Sequence, residues 1–322
     1  MHVYSQRIKM AIPRIQNQNS FNHTLLNSNL GKLDERRIGR FNTATLKETA
    51  TFNGVGIHTG SPTTLRIHPA EFGTGLILRG QSPSLGSIKI SPENVTETTQ
   101  AVTLSNGLFS VHTIEHVLCA LAVAGVTDAV LELDGSEIPI LDGAAGELYR
   151  GIMAAGILES NKLVQPIRLS APVWVVKDDK YLVAIPSDEF QVTYTVDFPH
   201  PDLRSKTYHG RLNSEIMESE ILEARTFGFL KDIEEFRKRG LGKGASLENA
   251  VVLTDDGYLN DSLRYSDECL RHKVLDLVGD LYLLGRPLQA HIIAFRAGHA
   301  LDVALSRNII AALANDELSA RR

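Results

Sequence analysis

The stretch Ser266-Asp-Glu-Cys-Leu270-Arg-His272-Lys273-Val-Leu-Asp276-Leu-Val-Gly-Asp280-Leu-Tyr-Leu-Leu-Gly285 sets the architecture. Leu270, Val274, Leu277, Val278 and Leu281 recur at helical spacing, which predicts a long helix. Ser266 serves as its N-cap, Asp267 and Glu268 occupy its first turn, and Gly285 stops it. The other face carries a stripe of His272, Lys273, Asp276 and Asp280. Upstream lie two strand-like runs, 173–176 and 181–186, around a Lys177–Lys180 turn, then a period-two run at 190–198 and shorter helical patterns near 215–224 and 231–239. Downstream come a strand at 291–296 and a helix at 300–313. The first half has the same order. Strands at 49–53, 63–68 and 74–79 precede a hairpin turned by Asn106-Gly107. A helix at 112–124 stops at Gly125, and strands at 130–133 and 137–141 and a helix at 144–155 follow. The expected fold class is α+β, in two similar domains, 45–162 and 163–322, each a β-sheet layered with helices.

Composition agrees with that size. The 322 residues are 43% hydrophobic and 22% charged, enough chain for about two cores. A net charge of −5 speaks against a nucleic-acid surface. The longest apolar run, 117–124, is far short of the roughly 20 residues that span a bilayer, so no transmembrane segment is expected. Cys119 and Cys269 form neither a disulfide framework nor a C-x-x-C pair.

Residues 1–44 differ from the rest. Arg7, Lys9, Arg14 and Lys32 precede the first acidic residue, Asp34, and no apolar signal core is present. That is the composition of an organellar transit segment, expected to be disordered and outside the fold.

The pointed chemical feature is His112-Thr-Ile-Glu115-His116. On one helix, His112 and His116 would share a face with Glu115 beside them, an H-x-x-E-H string of the inverted-zincin kind. In the later helix, His272 and Asp276 are also one turn apart. Four candidate ligands result, whereas a catalytic zinc keeps three and leaves a position for water, so one should stand aside. Spacing does not say which; Cys269 is a weaker fifth candidate. Gly298-His299 places an imidazole at a strand–helix junction. Glu223-Ala-Arg225-Thr226-Phe227-Gly-Phe229 sets a hydroxyl and a cation beside two aromatics. Arg239-Gly-Leu-Gly242-Lys243-Gly244-Ala-Ser246 lacks Walker order and is only weakly similar to the glycine–serine loop of galactokinase-type kinases, so a flexible basic turn is expected there.

Six motifs then occur in order: Gly54-Val-Gly-Ile-His58-Thr-Gly60, Thr113-Ile-Glu115-His116, Glu137-Ile-Pro-Ile-Leu-Asp142-Gly143, Ala224-Arg-Thr226-Phe-Gly-Phe229, Arg271-His272-Lys273-x-x-Asp276-x-x-Gly279-Asp280 and Gly298-His299-Ala. Together, over about Thr45 to Leu313, they resemble the UDP-3-O-acyl-N-acetylglucosamine deacetylases, zinc amidases of lipid A biosynthesis. The resemblance implies an active site between the two domains. It implies one zinc per chain, held by His116, His272 and Asp276, with His112 not a ligand. It implies Glu115 as general base, His299 as the catalytic histidine with Asp280 as its carboxylate partner, and Thr226 at the oxyanion. Lys273, His58, Phe227 and Phe229 would bind substrate, an acylated UDP-sugar. An insert near 229–253 would form the acyl passage, with Phe229, Leu230, Leu241, Val251 and Val252 available. A monomer is expected, and the leader makes a mitochondrial location the expectation, with a bacterial-type cytoplasm as the alternative. The competing readings are a protease-like hydrolase using His112 with His116, and a non-catalytic nucleotide-sugar or lipid binder.

Overall fold

The computed structural model describes residues 41–320. The assigned leader lies outside the described residues except for its last four positions, and those are part of the fold. Phe41–Leu46 is a strand, antiparallel to Ile157–Val164. The leader boundary therefore moves back from 44 to before Phe41. Threonines tie this strand in: Ala44 N donates to Thr127 Oγ1 at 2.9 Å, and Ala70 N donates to Thr45 Oγ1 at 2.9 Å.

Two sheets carry the architecture. The first has the order Ala50–Val55, Pro62–Pro69, Ala129–Leu133, Leu76–Gly80, Ser87–Lys89. Its central strand, Ala129–Leu133, runs antiparallel to Pro62–Pro69 and parallel to Leu76–Gly80. The second has the order Val173–Lys177, Lys180–Pro186, Leu288–Phe295, Gln191–Val196, Lys206–Arg211. Here Leu288–Phe295 runs antiparallel to Lys180–Pro186 and parallel to Gln191–Val196. In both, the central strand comes last and is entered from a helix: Glu115–Ala124 in the first, Glu268–Leu281 in the second. A parallel pair needs such a crossover, so the repeated topology follows from the repeated order of elements.

The helices fill the space between the sheets. Gly146–Ala154 packs on Ala50–Val55 and on Glu115–Ala124. Glu268–Leu281 packs on Gln191–Val196, and His299–Ala320 on Val173–Lys177 and Lys180–Pro186. Glu115–Ala124 and Glu268–Leu281 pack against each other. Burial of Val117–Leu121 on all sides accounts for most of the apolar run 117–124, since a helix covered all round has no polar face. It also explains the stripe on the later helix, where His272, Asp276 and Asp280 are buried rather than solvated.

At this crossing Gly279 meets the carbonyl oxygen of Glu115, and a Cβ there would collide with it. The residue must be glycine for the backbones to come this near.

The later helix begins at Glu268 with Asp267, not Ser266, at its N-cap, and two further expectations differ. The helix expected from His112 begins at Glu115, because Thr113 adopts φ +61° and gives its hydroxyl to Glu137 Oε1 at 3.0 Å. The His112–His116 pair is therefore not on one helical face. The expected strand 137–141 is extended chain rather than a full strand, with Ile138 N bonded to His112 O and Ile140 N to Val55 O.

Candidate active site

The helix crossing brings together residues distant in sequence. His116 comes from Glu115–Ala124, His272 and Asp276 from Glu268–Leu281, and one ligand atom of each lies within 4.8 Å of the others. Asp276 Oδ1 is 3.3 Å from His272 Nε2 and 3.9 Å from His116 Nε2. Donors of a tetrahedral ion with bonds of about 2.0–2.1 Å stand about 3.3 Å apart, so the spacing suits one small cation. Protonation suits it as well. His272 Nδ1 lies 2.9 Å from the Ala224 carbonyl, to which it donates, leaving Nε2 with its lone pair toward Asp276. Burial, then the neighbouring His272, pushes His116 down to about 3, and burial likewise lowers His272. Burial opposes charge on Asp276, but His272, Lys273 and His299 hold its carboxyl below the usual range. Two neutral imidazoles and a carboxylate are the form in which these groups bind zinc. Cys269 is outside the group, with a free, buried thiol pushed up by burial.

Lys273 gives Nζ to Asp276 Oδ2 at 2.6 Å. The ammonium thus neutralises the carboxylate oxygen other than the one nearest His116 and His272. Glu115 adjoins His116 and is buried; its Oε2 accepts from Val102 N at 3.1 Å. Burial pushes its carboxyl up to about 8, with His299 opposing and Asp280 and Asp276 adding to the rise. His299 begins the helix His299–Ala320, and its Nδ1 lies 2.7 Å from Asp280 Oδ2. Its Nε2 is 4.0 Å from Asp276 Oδ2.

The remaining expected site residues lie around this centre. Thr226 is half-buried, tied by its N–H to Gly143 O at 2.8 Å. Phe227, next in the chain, stands edge-on to His272 with ring centroids 6.3 Å apart. Phe229 lines a separate depression with Leu230, Lys231, Leu253, Thr254 and Asp255. The strands Phe227–Phe229 and Val251–Leu253 pair in parallel, so residues 230–250 leave and return at one place. His58 lines a second depression with Thr59, Thr103, His112, Arg239 and Leu241. Burial lowers His58, as do the charges of His112 and His299 against the opposing pull of Glu137.

His112 stands apart from the ligand group, its Nδ1 bonded to Thr103 Oγ1 at 2.8 Å. The glycine loop after Arg239 is docked rather than a free basic turn. Gly244 N donates to Ile57 O at 3.0 Å and Lys243 N to His58 O at 3.2 Å, and a Cβ at Gly244 would overlap Gly56 O.

Sequence reasoning missed the roles of three groups. Glu137 accepts from His58 N at 2.9 Å, Thr59 N at 2.8 Å, Thr59 Oγ1 at 2.7 Å and Thr113 Oγ1 at 3.0 Å, which fixes the 56–60 turn. Its signal was a lone carboxylate heading an apolar Ile-Pro-Ile-Leu run. Arg225 and Glu268 form a buried pair, Nε to Oε1 at 2.8 Å, that ties the Thr226 segment to the start of the later helix. Asp302 lies buried three residues after His299, a helical spacing visible in the sequence.

A His-His-Asp donor set that could hold a metal ion, beside a buried carboxyl and an imidazole–carboxylate pair, is the side-chain set of a hydrolase. The chain matches the family model described as LpxC, UDP-3-O-acyl N-acetylglycosamine deacetylase, over residues 43–311, and it belongs to that family. It is 49% identical over 279 residues to the UDP-3-O-acyl-N-acetylglucosamine deacetylase of Leptospira biflexa serovar Patoc, covering 85% of this chain and 92% of that protein. It is 38% identical over 268 residues to the enzyme of the same name from Syntrophus aciditrophicus, covering 83% and 85% respectively.

Proposed function

We propose that this protein hydrolyses the acetamide of a UDP-3-O-acyl-N-acetylglucosamine, releasing acetate and the free amine in the committed step of lipid A biosynthesis. One observation supports this above all: the convergence of His116, His272 and Asp276 directly beside Glu115. Family membership supplies the substrate class. His116, His272 and Asp276 would hold one zinc, which when bound acidifies water and polarises a carbonyl. Glu115 takes the proton from the attacking water; a carboxyl raised by burial is suited to receiving and passing on a proton near neutral pH. His299, aligned by Asp280, protonates the leaving nitrogen. The Thr226 hydroxyl donates to the oxygen on which negative charge develops. Lys273 and His58 face the polar part of the substrate, and Phe227 and Phe229 its apolar part. The acyl chain runs toward 229–253, where each buried CH₂ contributes about 0.8 kcal/mol.

The test is metal analysis and acetate release by the purified protein. About one zinc per chain is expected, and Glu115→Ala should keep that zinc while losing most turnover. Full activity in that variant removes Glu115 from the chemistry.

We also propose that the protein acts as a monomer of two domains, with the expected bounds 45–162 and 163–322 shifted to begin at Phe41 and divide after Val164, since Phe41–Leu46 pairs with Ile157–Val164. Residues 1–40 would direct it to mitochondria, the alternative being a bacterial-type cytoplasm. A basic, acid-poor composition supports import. A fluorescent protein fused behind residues 1–40 should reach mitochondria; retention in the cytosol overturns the targeting.

A further inference from the structure

Asp302 has no part in the chemistry above, yet its environment is unusual. It is fully buried in the first turn of His299–Ala320, and no described group donates a hydrogen bond to either of its oxygens. Asp280 Oδ1, the oxygen turned away from His299, likewise lacks a donor. One oxygen of Asp302, one of Asp280 and one nitrogen of His299 lie within 4.8 Å of one another. The two carboxyls are each other's hydrogen-bonding neighbours.

The surroundings cannot neutralise both. Lys273, from the later helix, already gives its ammonium to Asp276. Tyr194, from the second sheet, gives its hydroxyl to Ala297 O at 2.9 Å. Two buried carboxylates in contact cannot both stay ionised, and a bond between them requires one O–H. Burial and mutual repulsion push both carboxyls well up. Asp280 keeps the negative charge more readily, because it faces an imidazole N–H.

We propose that Asp302 is a positioning residue that carries a proton and donates it to Asp280 Oδ1, so that Oδ2 stays aligned on His299 Nδ1. The proposal rests on the reading of His299 as proton donor. A neutral Asp302 fixes the carboxylate without adding charge to the centre. It extends the histidine–carboxylate pair by one buried hydrogen bond, as outer hydrogen bonds do around other catalytic carboxylates.

The experiment compares the zinc-loaded wild type with Asp302→Asn and Asp302→Val. The amide of the first donates as the carboxyl O–H does; the second has no donor. Asp302→Val should lower kcat by about 10²-fold with KM unchanged, the scale of loss from a small misplacement of a catalytic group. Asp302→Asn should restore most of it. Infrared difference spectra of wild type minus Asp302→Asn at neutral pH should show a protonated carboxyl, a readout that needs no substrate. The proposal is overturned if that band is absent, or if Asp302→Asn is as impaired as Asp302→Val. It is also overturned if Asp302→Asn loses a second equivalent of bound metal, which would make the trio a cation site. Should Asp302→Val not fold, the infrared band decides. A wild type that releases no acetate but shows the band would refute the deacetylase reading alone.

Discussion

Gly279 lies so close to the carbonyl oxygen of Glu115 that no side chain fits between them. This contact sets how near the two central helices come, and hence how near His116 stands to His272 and Asp276. Gly279→Ala would push the helices apart. Overpacking of this kind costs about 1–3 kcal/mol. Denaturant unfolding should show that loss, and metal analysis of the same variant should show weakened zinc retention.

His112→Ala should retain its full complement of metal, whereas His116→Ala should lose it. The reason is local: His112 precedes the helix and bonds to Thr103, while the left-handed Thr113 turns it away from the ligand group. Metal content after dialysis distinguishes the two variants. Loss of metal in His112→Ala would revive the histidine-pair reading.

Chelation should destabilise the protein measurably. A ligand that binds only the folded state adds about 4 kcal/mol when free at 1,000 times its Kd. Calorimetry before and after chelation, and again after zinc is restored, should show Tm fall and recover. An unchanged Tm would mean that the buried His-His-Asp set holds nothing.

The Arg225–Glu268 pair should make the fold acid-sensitive. Burial raises the Glu268 carboxyl, but the hydrogen bonds from Arg225 outweigh it and the net position is below the usual range. A carboxyl depressed on folding contributes stability above its unfolded pKa of about 4.3, and that contribution is lost as pH falls through the folded value. Unfolding free energy should therefore drop in that acid window, and less steeply in Glu268→Gln. At neutral pH Arg225→Ala should cost about 3–5 kcal/mol, since it strands a buried charge.

Glu137→Ala should free the 56–60 turn and with it the loop that docks through Gly244. Losing charged hydrogen bonds of about 1.5–3 kcal/mol each should appear in KM for the nucleotide sugar rather than in metal content. Steady-state kinetics with metal analysis checks both halves of this prediction.

Much of the fold could be read from the sequence because it is written in local order. Strand–helix–strand patterns recur on either side of residue 165, and several turns carry a glycine or asparagine, as at Asn106-Gly107, Gly125, Gly156 and Gly285. The helix start at Glu115 was hidden, since Thr113 is held by Glu137, a residue 24 positions away. The first strand was masked by a leader-like composition, and its partner lies more than a hundred residues on. Within the candidate site, helical spacing brought out His272 with Asp276, and only the resemblance separated His112 from His116. Asp302 escaped notice, and Arg225 and Glu268 stood out without their pairing, because a charged residue in sequence looks solvated until its burial is known.

The close approach of the two central helices also bears on biosynthesis. Glu115 and His116 leave the ribosome long before Glu268–Leu281 and His299, so the early helix must wait with its polar residues exposed. Loading of the proposed ion would then be an event of the finished polypeptide. A chain truncated before residue 268 would present a single donor, and it could neither keep metal nor compete with the intact protein for it.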